Sequence, residues 1–109
     1  MSTFTVVWTD NAQYDLELII GYIKMDSVSI AKEMFFAIKN ECSQLDYMPT
    51  RKRVVPELEQ IGIMKYRELI FKRWRIIFKI EDLVVSVLIV ADNRRNLEDI
   101  LFQRLMKAD

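Results

Sequence analysis

Residues 64–91 read MKYRELIFKRWRIIFKIEDLVVSVLIVA, and the runs inside this stretch decide the fold. They are Met64–Phe71, Arg73–Ile80 and Leu83–Ala91. The middle run alternates: Trp74, Ile76, Phe78 and Ile80 fall on one side, Arg73, Arg75 and Lys79 on the other. Neighbouring side chains of a strand point to opposite faces, so this period predicts a half-buried strand. The third run is apolar on both sides, as a central strand is. Lys72 alone separates the first two runs and Glu81-Asp82 the last two, which predicts hairpins and an antiparallel meander. Arg73, Arg75 and Lys79, joined by Lys65 and Arg67 from the neighbouring strand, are expected to line the sheet face away from the core.

Upstream, Phe4-Thr5-Val6-Val7-Trp8 reads as a short strand. Asp10, with Gln13 after it, has the pattern of a helix N-cap with a capping-box partner. Ala12, Leu16, Ile19, Ile20 and Ile23 recur at helical spacing, predicting a helix to about Met25. Tyr14, Leu18, Tyr22 and Met25 form a second apolar line on the same helix. Ser27 or Ser29 can cap a second helix with a buried stripe of Ala31, Phe35, Ile38, Cys42 and Leu45, stopped by Pro49. The short break at Asp26–Ser29 implies an antiparallel helical hairpin. Residues 49–62, punctuated by Pro49, Pro56 and Gly62, read as a loop, and from Asn96 the positions Leu97, Ile100, Leu101 and Leu105 predict a C-terminal helix. The order β-α-α-β-β-β-α is an α+β domain over residues 1–109, with the hairpin on one sheet face.

Composition narrows the chemistry. The chain has 109 residues, 51% of them apolar, with two Gly and two Pro. That describes a globular chain able to bury a core without staples. There is no histidine, and Cys42 is the only cysteine. An internal disulfide, zinc chemistry and histidine-based acid–base catalysis are thereby excluded, and no metal or cofactor is expected. Cys42 itself reads as a small core residue. No secretory signal or membrane span is visible, so the expected location is the cytoplasm.

The net charge of zero is unevenly spread. Three Lys against seven Asp/Glu leave residues 1–50 at −4; nine Lys/Arg against three Glu put residues 51–79 at +6; four against six leave residues 80–109 at −2. A basic stretch between acidic flanks suits a nucleic acid or an acidic protein partner. A solvated sheet face neutralised by its neighbours explains it equally well.

Several short signatures occur in a fixed order: Met48-Pro49, Pro56-Glu57-Leu58, Tyr66-Arg67-Glu68-Leu69, Trp74-Arg75-Ile76-Ile77-Phe78 and Asp92-Asn93-Arg94-Arg95-Asn96-Leu97. Together they resemble the RelE/ParE superfamily of bacterial toxins, most specifically from Pro56 to Leu101. Two departures stand out. Asn93 occupies a turn position where relatives have Gly, which asparagine's tolerance of positive φ accommodates. Arg51-Lys52-Arg53 replaces a more Gly-rich loop.

The resemblance implies the toxin of a type II toxin–antitoxin pair and leaves two mechanisms open. RelE-like members cut messenger RNA on the ribosome; ParE-like members bind DNA gyrase without nuclease chemistry. Cleavage by 2′-hydroxyl attack needs a base, cations for the developing phosphorane and an acid for the leaving oxygen. Lys65, Arg67, Glu68, Arg75 and Arg94 are the candidates for such a nuclease, with Arg73 a further cation. The Tyr or His that cleaving relatives carry near the C-terminus is missing from Phe102–Asp109. Near-neutral charge also suits a ribosome-binding nuclease poorly. The resemblance is therefore closer to the ParE-like side, with structural or partner-contacting roles ahead of catalysis for the basic residues. The expected partners are an antitoxin, in a hetero-oligomer, and DNA gyrase, with the ribosome and its mRNA as the alternative. A non-toxic binding module is a third reading. The expected partner-contacting residues are Tyr14, Leu18, Tyr22, Met25, Arg73, Arg75, Arg94 and Arg95. The alternative for the apolar line on the first helix is that the C-terminal helix folds back and covers it.

Overall fold

The computed structural model describes residues 3–105. In chain order the elements are β1 (Thr5–Trp8), α1 (Asp10–Lys24), α2 (Val28–Ser43), β2 (Arg53–Val54), α3 (Pro56–Glu59), β3 (Tyr66–Phe71), β4 (Trp74–Glu81), β5 (Val84–Asp92) and α4 (Leu97–Arg104). The N-terminal strand, helical hairpin, meander and C-terminal helix are those the sequence predicts. β2 and α3 lie in the stretch read as loop; each is too short to leave a periodic trace.

The helix ends differ from expectation in detail. Thr9, not Asp10, caps α1: its hydroxyl accepts from the Ala12 amide at 3.2 Å and donates to the Val87 carbonyl at 2.9 Å. One side chain thus starts the helix and ties it to β5. Asp10 is the first helical residue, where a negative charge suits the helix dipole. Gln13 completes no capping box and instead bridges Glu17 and Lys39. Ser27 caps α2, accepting from the Ile30 amide at 3.1 Å. Pro49 does not stop α2, which ends at Ser43 and tightens into a 3-10 turn over Gln44–Asp46. Proline disfavours the right-handed helical region for the residue before it. Met48, the residue before it, is left-handed at φ 48°, outside both that region and the extended one that proline favours.

The five strands run in the order β1-β5-β4-β3-β2. β1 lies parallel to β5, and the other neighbours are antiparallel. The meander turns at Lys72 (φ 54°) and Asp82 (φ 56°), left-handed residues that reverse the chain tightly. Leu69, Trp74, Ile76, Phe78, Val85, Val87 and Val90 pack against Ala12, Leu16, Ile38, Cys42 and Leu45 of the helical side. Burial pushes the Cys42 thiol up to about 12, so it packs as a hydrophobe.

The opposite sheet face is not the open basic surface expected. Tyr66, Ile77, Ile89 and Ala91 form a second core under Val55, Leu58, Leu97, Ile100 and Leu101, so α3 and α4 cover it. Arg67 is not on that face. It lies opposite Phe78 and alternates with Tyr66 and Glu68, which turns it toward the helical side. A bulge at Leu88 lets β5 serve both cores: Ile77 pairs with Ile89 but Phe78 with Val87.

With α4 committed to the second core, it does not cover the apolar line of α1. Tyr14, Leu18, Tyr22 and Met25 are 59%, 56%, 78% and 82% exposed. Among the described residues no helix is long and apolar enough to cross a membrane.

Candidate functional site

The arginines of the meander separate into two clusters with opposite character. The first is built on β3, β4 and the segment before them. Glu68 points into the second face with a side chain that is 0% exposed. Arg75, on the adjacent strand, donates from Nε to Glu68 Oε1 at 2.8 Å. Its two terminal nitrogens reach the Glu57 carboxylate of α3 at 2.8 and 2.9 Å. Arg53 of β2 closes the chain of charges, its Nε 2.5 Å from Glu68 Oε2. Hydrogen bonding from Arg75 holds the Glu57 carboxyl below the usual carboxylate range, and the same contact raises Arg75. Each carboxylate here already accepts from a guanidinium.

The five residues that would serve a nuclease are not brought together. Glu68 and Arg75 meet, but in this neutralised pair. Arg67 lies on the other sheet face and donates to the Lys52 carbonyl at 2.6 Å. Lys65 precedes β3 and sits 5.3 Å from the centre of the Tyr66 ring. Arg94 belongs to the second cluster.

That cluster lines a groove of about 490 Å3 between α1 and the ends of β4 and β5. Leu18, Tyr22 and Ile23 form its helical wall, and Trp74 and Val90 lie across from them. Arg73, in the turn before β4, does not join Arg75. It ion-pairs with Asp92, and its guanidinium lies 4.9 Å from the centre of the Trp74 ring. Arg94 reaches the same Asp92 carboxylate at 3.1 Å. Hydrogen bonds from Arg94, and then from Arg73, hold the Asp92 carboxyl far below the usual range. Arg95 also lines the groove, and among the described residues it makes no ion pair. Of the expected partner-contacting set, Leu18, Tyr22, Arg73, Arg94 and Arg95 therefore converge. Tyr14 and Met25 extend the helical ridge beyond the groove lining, and Arg75 is on the opposite sheet face.

Two groups at this groove escaped sequence reading. Asp15 sits on the buried stripe of α1 between Ala12 and Leu16, only 8% exposed. β1 ends its pairing with β5 at Val87, and beyond that point Asp15 closes the strand edge by accepting from the Val90 amide at 3.1 Å. Arg104 of α4 reaches around the same edge to Asp15 at 2.5 Å. A carboxylate on an apolar helical stripe was the available signal. The second is the indole N–H of Trp74, a residue whose place in the core the alternation of β4 does predict. Trp74 is 5% exposed, and its Nε1 is buried without a hydrogen-bond partner among the described residues. An unsatisfied buried donor of this kind costs about 1–3 kcal/mol.

Among the described residues no group of three or more His, Cys, Asp or Glu side chains is placed to hold a metal ion. Residues 6–97 match the family described as ParE toxin of type II toxin-antitoxin system, parDE. Among curated proteins no relative matches. Solved structures share the fold, two among them from toxin–antitoxin systems. One is the chromosomal ParDE TA system from P. aeruginosa, at TM-score 0.68 and 16% identity over 83% of this chain and 96% of that one. The other is the toxin-antitoxin complex RelBE2 from Mycobacterium tuberculosis, at TM-score 0.53 and 23% identity over 84% of this chain and 93% of that one.

Proposed function

The chain belongs to the ParE toxins of type II toxin–antitoxin systems, and from that premise we propose that it acts by binding: it inhibits DNA gyrase, and a cognate antitoxin neutralises it. The observation that carries the non-enzymatic reading is the state of Glu68 and Arg75. Both are spent on each other and on Arg53 and Glu57, and the remaining nuclease candidates lie elsewhere. General acid–base cleavage needs a group within hydrogen-bond reach of the attacking hydroxyl and able to take its proton. The antitoxin reading is supported by the fold likeness to chains from two toxin–antitoxin systems. The residues we assign to partner contact are those of the groove, Leu18, Tyr22, Arg73, Arg94 and Arg95, with Tyr14 and Met25 on the ridge beside it.

Purified protein should abolish supercoiling of relaxed plasmid by DNA gyrase, and the antitoxin should restore it. Unaffected supercoiling at excess toxin, with codon-specific cuts by primer extension on translating ribosomes, would replace this reading with an endoribonuclease. Unimpaired growth on overexpression without antitoxin would point instead to a non-toxic binding module.

A further inference from the structure

The basic triplet Arg51-Lys52-Arg53 divides in the fold. Arg53 is taken up by Glu68. Arg51 and Lys52 make no ion pair among the described residues, and neither does Arg67, whose guanidinium donates to the Lys52 carbonyl at 2.6 Å. Arg51 and Lys52 line a cleft of about 330 Å3 between the C-terminal end of α2 and β3. It shares no lining residue with the groove of Arg73 and Arg94. Buried Leu45 and Leu69 form its apolar part, and Tyr47 and Met48, 52% and 42% exposed, stand beside the two cations. Glu41 is the one acid in the lining.

The segment that presents these side chains is held in a costly shape. Met48 is left-handed at φ 48°, which a non-glycine residue keeps only where its surroundings impose it. The Arg51 amide donates to the Met48 carbonyl and the Lys52 amide to the Pro49 carbonyl, both at 3.1 Å, around a 3-10 turn over Pro49–Arg51. Arg67 fastens the end of that turn through the Lys52 carbonyl. Backbone strain beside charges that the fold does not neutralise marks a segment shaped for contact.

We propose that this cleft binds one nucleotide of a single-stranded nucleic acid. The phosphate lies on the Arg51 guanidinium and the Lys52 ammonium, a planar fork and a point charge that both suit it. The base stacks on the Tyr47 ring next to Met48, and Glu41 accepts from an exocyclic amino group. The volume is at the lower end of the range of ligand clefts, which suits one nucleotide and not a protein helix. An acidic protein segment would match the cations but leave the Tyr47 face without a flat partner. A duplex would match them too, but it keeps its bases stacked inside. The proposal goes beyond the reading of the chain as a gyrase inhibitor and does not depend on it.

The full-length toxin is titrated into short fluorescein-labelled oligonucleotides and followed by anisotropy, with single-stranded DNA, single-stranded RNA and duplex DNA as separate arms. At least one single strand should bind more tightly than the duplex, and the DNA and RNA arms show which sugar the cleft prefers. The logarithm of the binding constant should fall with that of salt concentration at a slope of roughly −1.4 to −2.1, as for two or three neutralised phosphates. Arg51→Glu with Lys52→Glu should weaken binding by more than about tenfold and flatten that slope. Tyr47→Ala should weaken it roughly fivefold or more, whereas Tyr47→Phe, which keeps the ring, should bind as the parent does. Lys24→Glu with Lys32→Glu changes the net charge equally at the other end of the helical hairpin. Lys32 lies about 13 Å from Glu41 at helical rise, beyond the Debye length at physiological salt, so that variant should keep its affinity within about twofold. Matching amide dispersion shows that each variant folds. Full affinity in the Arg51/Lys52 variant, or a duplex bound as tightly as single strands with Tyr47→Ala silent, would overturn the proposal. So would absence of binding by every oligonucleotide in dilute buffer; if DNA-free gyrase then takes up the toxin through Arg51 and Lys52, the occupant is an acidic protein surface. Inhibition of supercoiling by the unsubstituted toxin reports on the gyrase reading separately.

Discussion

Two arginine clusters on one sheet have been put to different uses. Around Glu68 the charges are matched and linked into one chain, Arg53–Glu68–Arg75–Glu57, whose centre, Glu68 and Arg75, is buried while Arg53 at its end is exposed. Around Asp92 they are exposed: the Arg73 and Arg94 side chains are 52% and 74% accessible and share one carboxylate, with Arg95 beside them. Burial accounts for the contrast. A charge removed from water must be paired at once, whereas exposed arginines can wait for an anion from outside. The first cluster therefore holds the fold, and the second is the one we propose for recognition.

The largest expected effect tests the first half of that contrast. Glu68→Gln removes the fully buried carboxylate between Arg75, whose side chain is 13% exposed, and Arg53, leaving Arg75 with Glu57 alone and Arg53 with no partner among the described residues. Breaking a buried pair by removing one partner costs about 3 kcal/mol or more. The melting temperature should fall by on the order of 15 °C. A fall of only a degree or two would mean that the cluster is not holding β3, β4 and α3 together. The next effect joins the two regions. Arg104→Ala strips the partner from Asp15, and because Arg104 is 26% exposed the loss should be smaller, about 2 kcal/mol. Amide exchange should then quicken at Val90 and along α4 before the rest of the sheet.

The meander, the helical hairpin and the core identity of Trp74 and Cys42 were legible because they are written as periodic patterns. The covered second face was not. Arg75 and Lys79 alternate with Ile77 in β4, and the two charges outvote the one isoleucine. What covers that face is α4 and the single turn of α3, and whether a helix packs above or below a sheet is a tertiary choice that periodicity does not carry. Arg67 was misplaced for a related reason: strand parity depends on register, and register is set by pairing with Phe78, not by the sequence of β3 alone. The convergence of Arg73 with Arg94 was hidden too, since it needs β4 to pair with β5 so that Trp74 meets Asp92.

Acid should distinguish the clusters more gently. Glu57 and Asp92 both have carboxyls held below their ordinary values of 4.5 and 3.8 by arginine hydrogen bonds. The unfolded chain then binds more protons than the folded one, so stability falls with falling pH. The contribution is intact above about 4.5 for Glu57 and fades as pH drops through its lower folded value. Melting curves from neutral pH downward should steepen below that point, and Glu57→Gln should flatten the slope. Asp92→Asn should flatten it less in about 0.5 M salt than in dilute buffer, because its arginines are exposed to screening. A salt response equal in both variants would erase the distinction between a buried and an exposed cluster.

The smallest expected effect on stability is the sharpest test of the second half of the contrast. Arg94 lies on the surface, and its pairing with Asp92 spans two positions of one turn. Exposed pairs of this kind contribute little to folding, since solvent screens them and the side chain gives up rotamer freedom to form them. Arg94→Ala should leave the melting temperature within experimental error, with Arg73 still holding Asp92. Its effect should appear instead in association with the antitoxin, as a slower on-rate and a shallower dependence on salt, because a rim charge steers encounter more than it holds the finished complex. If Arg94→Ala instead melted the domain while sparing association, the Asp92 cluster would be a structural device like the one around Glu68, and the groove would lose its claim as the recognition surface.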